Sequence, residues 1–474
     1  MINRRELFQW AGRGIGSTAF LSLLMQDGVI QAHGASNGAL NGKHHLAPLA
    51  KRVIHIVACG GVSQIDSFDY KPELVKHHGK SLSGERPDVF FGRVGLLRKN
   101  DWEFRQRGES GLWISELFPN LATVADELTM IHSMVADTSN HTPATFQENT
   151  GFRLNGFPVF GAWASYGLGC ETEDLPAFVV IPDPRGVPAG GSINWTNGFL
   201  PAQHQGVVVR SQGIPIDDLF HARGSPAGRE ADMRSLLYQL NERHRKLHQD
   251  DELLARMKSY ELAARMQRVV PEVTNLEQET SDTHRLYGMD QPVTSDFGRA
   301  CLLSRRLLES GVRFVQLFSG GAFGSPRINW DGHEDMIQNH GQEALRIDRP
   351  IAGLIADLRR RGMLNDTLVL FTSEFGRTPF TQSADDVVGK GRDHNQFGFT
   401  VWMAGAGLRH GFGHGATDEI GMRAVENPVR WPDFHATILH LLGVDHERLT
   451  YYHNGIRRRL TDVSGTVIRE VLSN

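Results

Sequence analysis

The chain has 474 residues, 40% of them apolar, enough to bury a large core as one big α/β domain or as two or three smaller ones. Its 50 basic and 54 acidic side chains leave a net charge of −4 with no tail of one sign, so nothing points to nucleic acid as a partner. Cys59, Cys170 and Cys301 are odd in number and far apart, which indicates neither a disulfide framework nor a cysteine-based zinc site.

Residues 1–34 read as a twin-arginine export signal: Arg4 and Arg5 precede Leu7 and Phe8, and the apolar run Ala19 to Met25 ends near Ala32-His33-Gly34. The alternative is an ordinary amphipathic helix. Export by this route predicts a periplasmic or extracellular protein. It carries folded chains, often with metal already loaded, which favours a metal site. No later stretch approaches about 18 uninterrupted apolar residues, so no transmembrane segment is expected beyond the signal. Residues 35–50, rich in Gly, Asn and His, read as a linker, and residues 51–474 as a single domain.

Arg52 to Cys59 is a β-branched apolar run that stops at Gly60-Gly61, the pattern of a buried parallel strand opening into a loop, with Ser63, Asp66 and Asp69 just beyond. Leu112 to Leu128 has helical spacing, with Leu117, Leu121, Val124, Ala125 and Leu128 on one face. Met130 to Val135 predicts a second buried strand that empties into the loop Asp137 to Gly151. Ala177 to Ile181 predicts another, and the charged amphipathic stretch near 226–270 predicts a helical excursion beside the sheet.

A helix over Arg299 to Gly311 and a strand over Val312 to Phe318 lead to a loop holding Asp331, His333, Glu334 and Asp335. A helix over Ala344 to Arg361 then precedes strands at Leu368 to Thr372 and Phe399 to Ala404. Between these two lie Glu374, Arg377, Arg392, Asp393 and His394, and a last helix runs from Trp431 through Leu442. Strand, loop and helix alternate throughout, so the class is α/β with a mainly parallel, helix-covered sheet.

Sheets of this kind build sites from loops at strand carboxyl ends, and three such loops carry Asp66, the Asp331/His333 pair, and Glu374 with His394. Carboxylate and imidazole donors without thiolate suit a divalent ion such as zinc, manganese, magnesium or calcium. The bland readings are an N-cap or a salt bridge to Arg377 for Glu374, and a surface turn for Asp393-His394. Cys59 reads as a packed thiol rather than a nucleophile.

Several stretches together resemble one family: IHIVACGGVSQIDSFDYKPE from Ile54, NTG at Asn149, WDGH at Trp330, LFTSEFGRTP from Leu370, GRDHN from Gly391 and DFHATILHLLG from Asp433. They resemble the exported "domain of unknown function 1501" family, placed within the alkaline phosphatase and sulfatase superfamily. The resemblance implies a three-layer α/β/α fold, and a metal-dependent hydrolase of phosphate or sulfate esters. It also implies metal ligation by Asp331, His333, Glu374 and His394, with Asp66 or Ser63 standing in for the carboxylates that sulfatases carry after the first strand.

Phe375 stands where many phosphatases have a histidine ligand. His141 aligns with the sulfatase cysteine that becomes formylglycine, a group that histidine cannot form. The resemblance therefore leaves Thr142 as nucleophile, or His141 as base, ligand or phosphoryl acceptor, with Arg377 and Arg392 neutralising the anionic ester. The competing expectation is a non-catalytic relative that binds sulfated or phosphorylated glycans through the same loops.

Overall fold

A computed structural model describes residues 44–82, 89–90, 92–217, 229–248, 251–324 and 327–473. The export signal of residues 1–34 lies outside the described residues, as do the linker up to residue 43 and the start of the excursion at 226–228.

The strands in chain order are β1 (Arg52–Ala58), β2 (Leu128–Val135), β3 (Phe178–Ile181), β4 (Val207–Val208), β5 (Phe314–Ser319) and β6 (Thr367–Thr372). A hairpin of β7 (Gly376–Thr381) and β8 (Arg392–Asn395) follows, then β9 (Phe399–Gly405), β10 (Phe412–His414) and β11 (Val429–Arg430). Nine of them form one sheet in the order β10-β2-β9-β6-β1-β5-β3-β4, with β11 also paired to β2. Every pairing is parallel except those of β9, which runs antiparallel to both β2 and β6. The cause is local: β6 returns to β9 through the β7–β8 hairpin, with no crossover helix to restore a parallel direction.

The longer helices are α1 (His141–Thr150), α2 (Phe160–Leu168), α3 (Arg229–His248), α4 (Asp251–Val273), α5 (Pro292–Glu309), α6 (Met336–Arg360) and α7 (Trp431–Leu441). Alternation along the buried strands divides the apolar side chains between two cores. Ile54, Ile56, Val315, Leu317, Val369 and Phe371 face α5 and α6. Val53, Val57, Phe314, Phe318, Leu368 and Leu370 face α2 and α7. The result is the three-layer α/β/α sandwich, buried on both faces, that continuous apolar strands require.

Three sequence expectations are corrected. The helix over Leu112 to Leu128 is instead a hairpin of Phe104–Arg107 with Leu112–Ser115 followed by a 3-10 turn at Leu121–Glu127, because Pro119 interrupts any continuous helix. Helix α6 starts at Met336, earlier than its apolar stripe suggests, since the Asp335 carboxylate accepts the Gln338 N–H at 3.1 Å and caps it. The end of the expected linker is docked: Leu49 and Ala50 donate backbone hydrogen bonds of 2.9 Å to the Leu441 carbonyl at the end of α7. Among the described residues no helix is long and apolar enough to cross a membrane.

Candidate metal centre

The carboxyl ends of β1, β5 and β6 point to one side of the sheet, and the loops after them lock together there. Gly60 has φ of +129°, and a Cβ on it would stand 2.7 Å from the Asp331 nitrogen and 2.8 Å from the Trp330 carbonyl carbon. Only glycine lets the β1 loop and the Asp331 loop approach this closely. Ser373 ties the end of β6 to the same place, donating to the Ala58 carbonyl at 2.9 Å and accepting the Val62 N–H at 2.9 Å.

Within this frame His141, Asp331, His333 and His394 offer ligand atoms that all lie within 4.8 Å of one another. That spread is close to what pairs of ligand bonds of about 2.0–2.2 Å impose. His141 opens α1, Asp331 and His333 sit on the loop before α6, and His394 is on β8. Asp331 Oδ1 is the hub: His333 Nε2 lies 2.8 Å from it, His141 Nε2 3.2 Å and His394 Nε2 3.3 Å.

The opposite nitrogen of each ring is already engaged. His141 Nδ1 donates to Glu374 Oε1 at 2.6 Å, His394 Nδ1 donates to the Ser139 carbonyl at 2.6 Å, and His333 Nδ1 donates to Gln382 Oε1. Three acceptors thus hold three imidazoles in the tautomer that keeps the Nε2 lone pair and aim those lone pairs at one carboxylate. This is the outer-shell arrangement that orients metal-ligating histidines. The Nε2 atoms of His333 and His394 are 2.8 Å apart, and two such lone pairs repel unless positive charge stands between them. Three imidazoles and one carboxylate fit a divalent transition ion such as zinc or manganese, and suit magnesium and calcium, which favour oxygen, less well.

The charges around these four residues pull against one another. Burial works to raise the Asp331 pKa, but the Arg377 guanidinium and the three histidines outweigh it and hold the carboxyl far below the usual range. Burial would lower His141, yet its bonds to Asp331 and Glu374 prevail and raise it, whereas burial dominates at His394 and lowers it strongly. The walls are aromatic. Phe375 packs at 4.8 Å from the His141 ring and 4.5 Å from that of His394, with Phe323 4.6 Å from His141 and Phe90 4.9 Å from His394.

Several expected site residues occupy other roles. Glu374, expected as a ligand, stands behind His141, its two oxygens also accepting the Gly60 N–H at 2.9 and 3.1 Å. Asp66 lies outside the group of four because it pairs with fully buried Arg392 at 2.8 Å and accepts from Ser63 Oγ at 2.5 Å and the Asp101 N–H at 3.0 Å. Arg392 also donates to the carbonyls of Thr378, Arg98 and Lys99, so its guanidinium is held within the protein rather than presented to an anion.

Arg377 is likewise fully buried. It donates to Asp331 Oδ1 at 2.7 Å and to the carbonyls of Gly60 and Gly61, which makes it a clamp on the ligand loop. Thr142 is half-buried on the first turn of α1, beside His141. Sequence reasoning missed Gln382 and the Ser139 carbonyl as ring anchors. A lone Gln in a polar run and a backbone oxygen carry no sequence signal.

Glu148 sits two turns along α1 from His141 and is fully buried. Burial above all, and then the charge of Glu374, push its pKa well above that of an ordinary glutamate.

The chain is similar to several solved structures. Lipoteichoic acid synthase LtaP from Listeria monocytogenes shares 10% identity at a TM-score of 0.36, covering 88% of this chain and 76% of that one. Phosphonate monoester hydrolase SpPMH from Silicibacter pomeroyi shares 12% at 0.36, covering 89% and 76%. The PsFucS1 sulfatase from Pseudoalteromonas sp. shares 14% at 0.35, covering 86% and 74%. At these scores the fold class rests on the sheet order and helix cover described above. No curated protein matches the sequence. A family model described as "Protein of unknown function (DUF1501)" matches residues 50–472, and the chain belongs to that family.

Proposed function

We propose that this chain is an exported, metal-dependent hydrolase of phosphate or sulfate esters that holds a single divalent ion through His141, Asp331, His333 and His394. The observation that carries the reading is the convergence of three Nε2 atoms on Asp331 Oδ1, with every Nδ1 engaged behind it. When bound, the ion would supply Lewis-acid polarisation of the ester oxygen and make water acidic enough to attack at neutral pH.

The protein's own groups do the rest. Glu374 keeps the His141 proton on Nδ1, Arg377 holds the Asp331 carboxylate in place, and Phe375 with Phe323 screens the imidazoles from bulk water. In this reading His141 is a ligand, and water rather than Thr142 attacks. The Arg4-Arg5 pair with the apolar run after it supports export.

Arg377 and Arg392 are both buried and bonded within the protein, which leaves neither to neutralise a developing charge, so the hydrolase is to be tested against a non-catalytic relative. Chelator-stripped protein, reloaded in turn with zinc, manganese, magnesium or calcium, separates the two. Turnover of an aryl phosphate, a phosphodiester or an aryl sulfate with zinc or manganese supports the hydrolase. Absence of turnover with every ion, together with no metal in the purified protein, overturns it.

A further inference from the structure

We propose that the hairpin of α3 and α4 is a self-association surface whose occupant is the same hairpin of a second copy of this chain. Helix α3 is exposed on every side from Ser235 to Leu240, and what it packs against is α4. Helix α4 is anchored on the body through Met266, Val270 and Val273, which are buried in the core under α5 and α6. A helix that buries so little of itself has little to hold it in water, because helical stability in proteins comes chiefly from covering an apolar face.

Such a face is present and open. Met233, Leu236, Leu237 and Leu240 recur at the spacing of one helical stripe and are 63%, 57%, 45% and 55% exposed, and Tyr260 of α4 beside them is 55% exposed. Together these side chains present on the order of 500 Å² of contiguous apolar surface. That is as large as the biggest patch on a typical monomer, and comparable with the apolar share of the ~800 Å² that each partner buries in a standard interface.

The shape selects the occupant. The leucines of α3 and Ala263 and Ala264 of α4 line one concave surface, so bulky side chains that make a ridge stand next to small ones that leave a trough. A surface that carries both a ridge and the trough to receive it is complementary to itself across a two-fold axis. Two such hairpins would close as a four-helix bundle with the leucines of each copy over the alanines of the other. A second copy covers the leucines and fills the space over the alanines at once, which a flat lipid surface does not.

Sedimentation velocity and light scattering on the full chain test the proposal. At micromolar concentration the wild type should run with the mass of two chains. Two variants, Leu236→Glu with Leu240→Glu, and Ala264→Trp, should each weaken association by at least about a hundredfold and give the mass of one chain. The first places charge on the ridge and the second fills the trough without charge, so agreement between them separates interface loss from misfolding, as do unchanged circular dichroism and metal content. A wild-type protein that stays monomeric at tens of micromolar, or a dimer that persists in both variants, overturns the proposal. So does monomeric protein that sediments with anionic phospholipid vesicles in a leucine-dependent way, which would assign the face to a membrane.

Discussion

Replacing Glu374 by Gln isolates the step on which the metal centre depends. The change conserves shape and removes one charge. The carboxylate now accepts a forked contact from the Gly60 N–H, a longer one of 3.3 Å from Ser373 Oγ, and a bond from His141 Nδ1 at 2.6 Å. An amide has one acceptor oxygen and one donor nitrogen. If the amide oxygen takes the place of Oε2, the NH2 group faces His141 Nδ1, which must give up its proton; the proton then moves to Nε2 and removes the lone pair aimed at the ion. If the oxygen takes the place of Oε1, it keeps both His141 and Gly60 but is a weaker acceptor than a carboxylate, and the NH2 group opposes the Gly60 N–H in a fully buried site.

Either arrangement weakens ligation through His141 without touching the other three ligands. Loss of an outer-shell partner of this kind costs about 10–100-fold in metal affinity, or about 1.4–2.8 kcal/mol. Chelator competition should show that fall for zinc. The metal-dependent gain in thermal stability at fixed zinc should shrink correspondingly, by about 1.4 kcal/mol per decade of lost affinity. Glu374→Asp, which shortens the side chain but keeps the charge, should lose less than Glu374→Gln if the tautomer is what matters. An unchanged zinc affinity in Glu374→Gln would refute the reasoning, because His141 would then not need its Nδ1 proton held.

Three further outcomes follow from groups around the centre. Asp66→Asn leaves the Arg392 guanidinium buried without its ion pair, so unfolding free energy should fall by about 3–5 kcal/mol by denaturant titration, with zinc still bound by the folded fraction. Burial brings His55 and His340 down from 6.5 to about 3, and the neutral His340 ring accepts the Ser63 N–H at 2.9 Å. Their folded pKa lies below the unfolded one, so the stability they contribute is complete above pH ~6.5 and is lost toward pH ~3 at about 1.4 kcal/mol per unit for each ring, a slope that His55→Gln should reduce in acid denaturation. Glu148 has the opposite sign: its folded pKa is raised above 4.5, so it costs stability as pH rises past that value. Glu148→Gln should therefore gain on the wild type between pH 5 and 8, by up to about 1.4 kcal/mol per unit in thermal melts.

What was legible in the sequence follows the range over which each signal acts. Buried parallel strands announce themselves because both faces are apolar, so β1, β5 and β6 were readable from Val53, Val315 and Leu368 onward, and the loops at their ends with them. The division of labour among the polar residues was not readable, because it is decided by contacts between residues hundreds of positions apart. Asp66 and Asp331 look alike in sequence, each an aspartate beyond a buried strand, and in the fold each is buried and reached by an arginine.

The difference is what else arrives. Arg392, Ser63 and the Asp101 N–H surround Asp66 and leave it structural, whereas three imidazoles surround Asp331 along with Arg377. The same holds for the two residues that exchange roles. Glu374 has the chemistry of a ligand and His141 that of a base, but the Gly60 N–H, present where a carboxylate was expected after the first strand, draws Glu374 back by one bond. His141 then occupies the position in front. Gly60, His141 and Phe375 therefore act on Glu374 together: the first takes up its oxygens, the second stands between it and Asp331, and the third fills the space beside the imidazole.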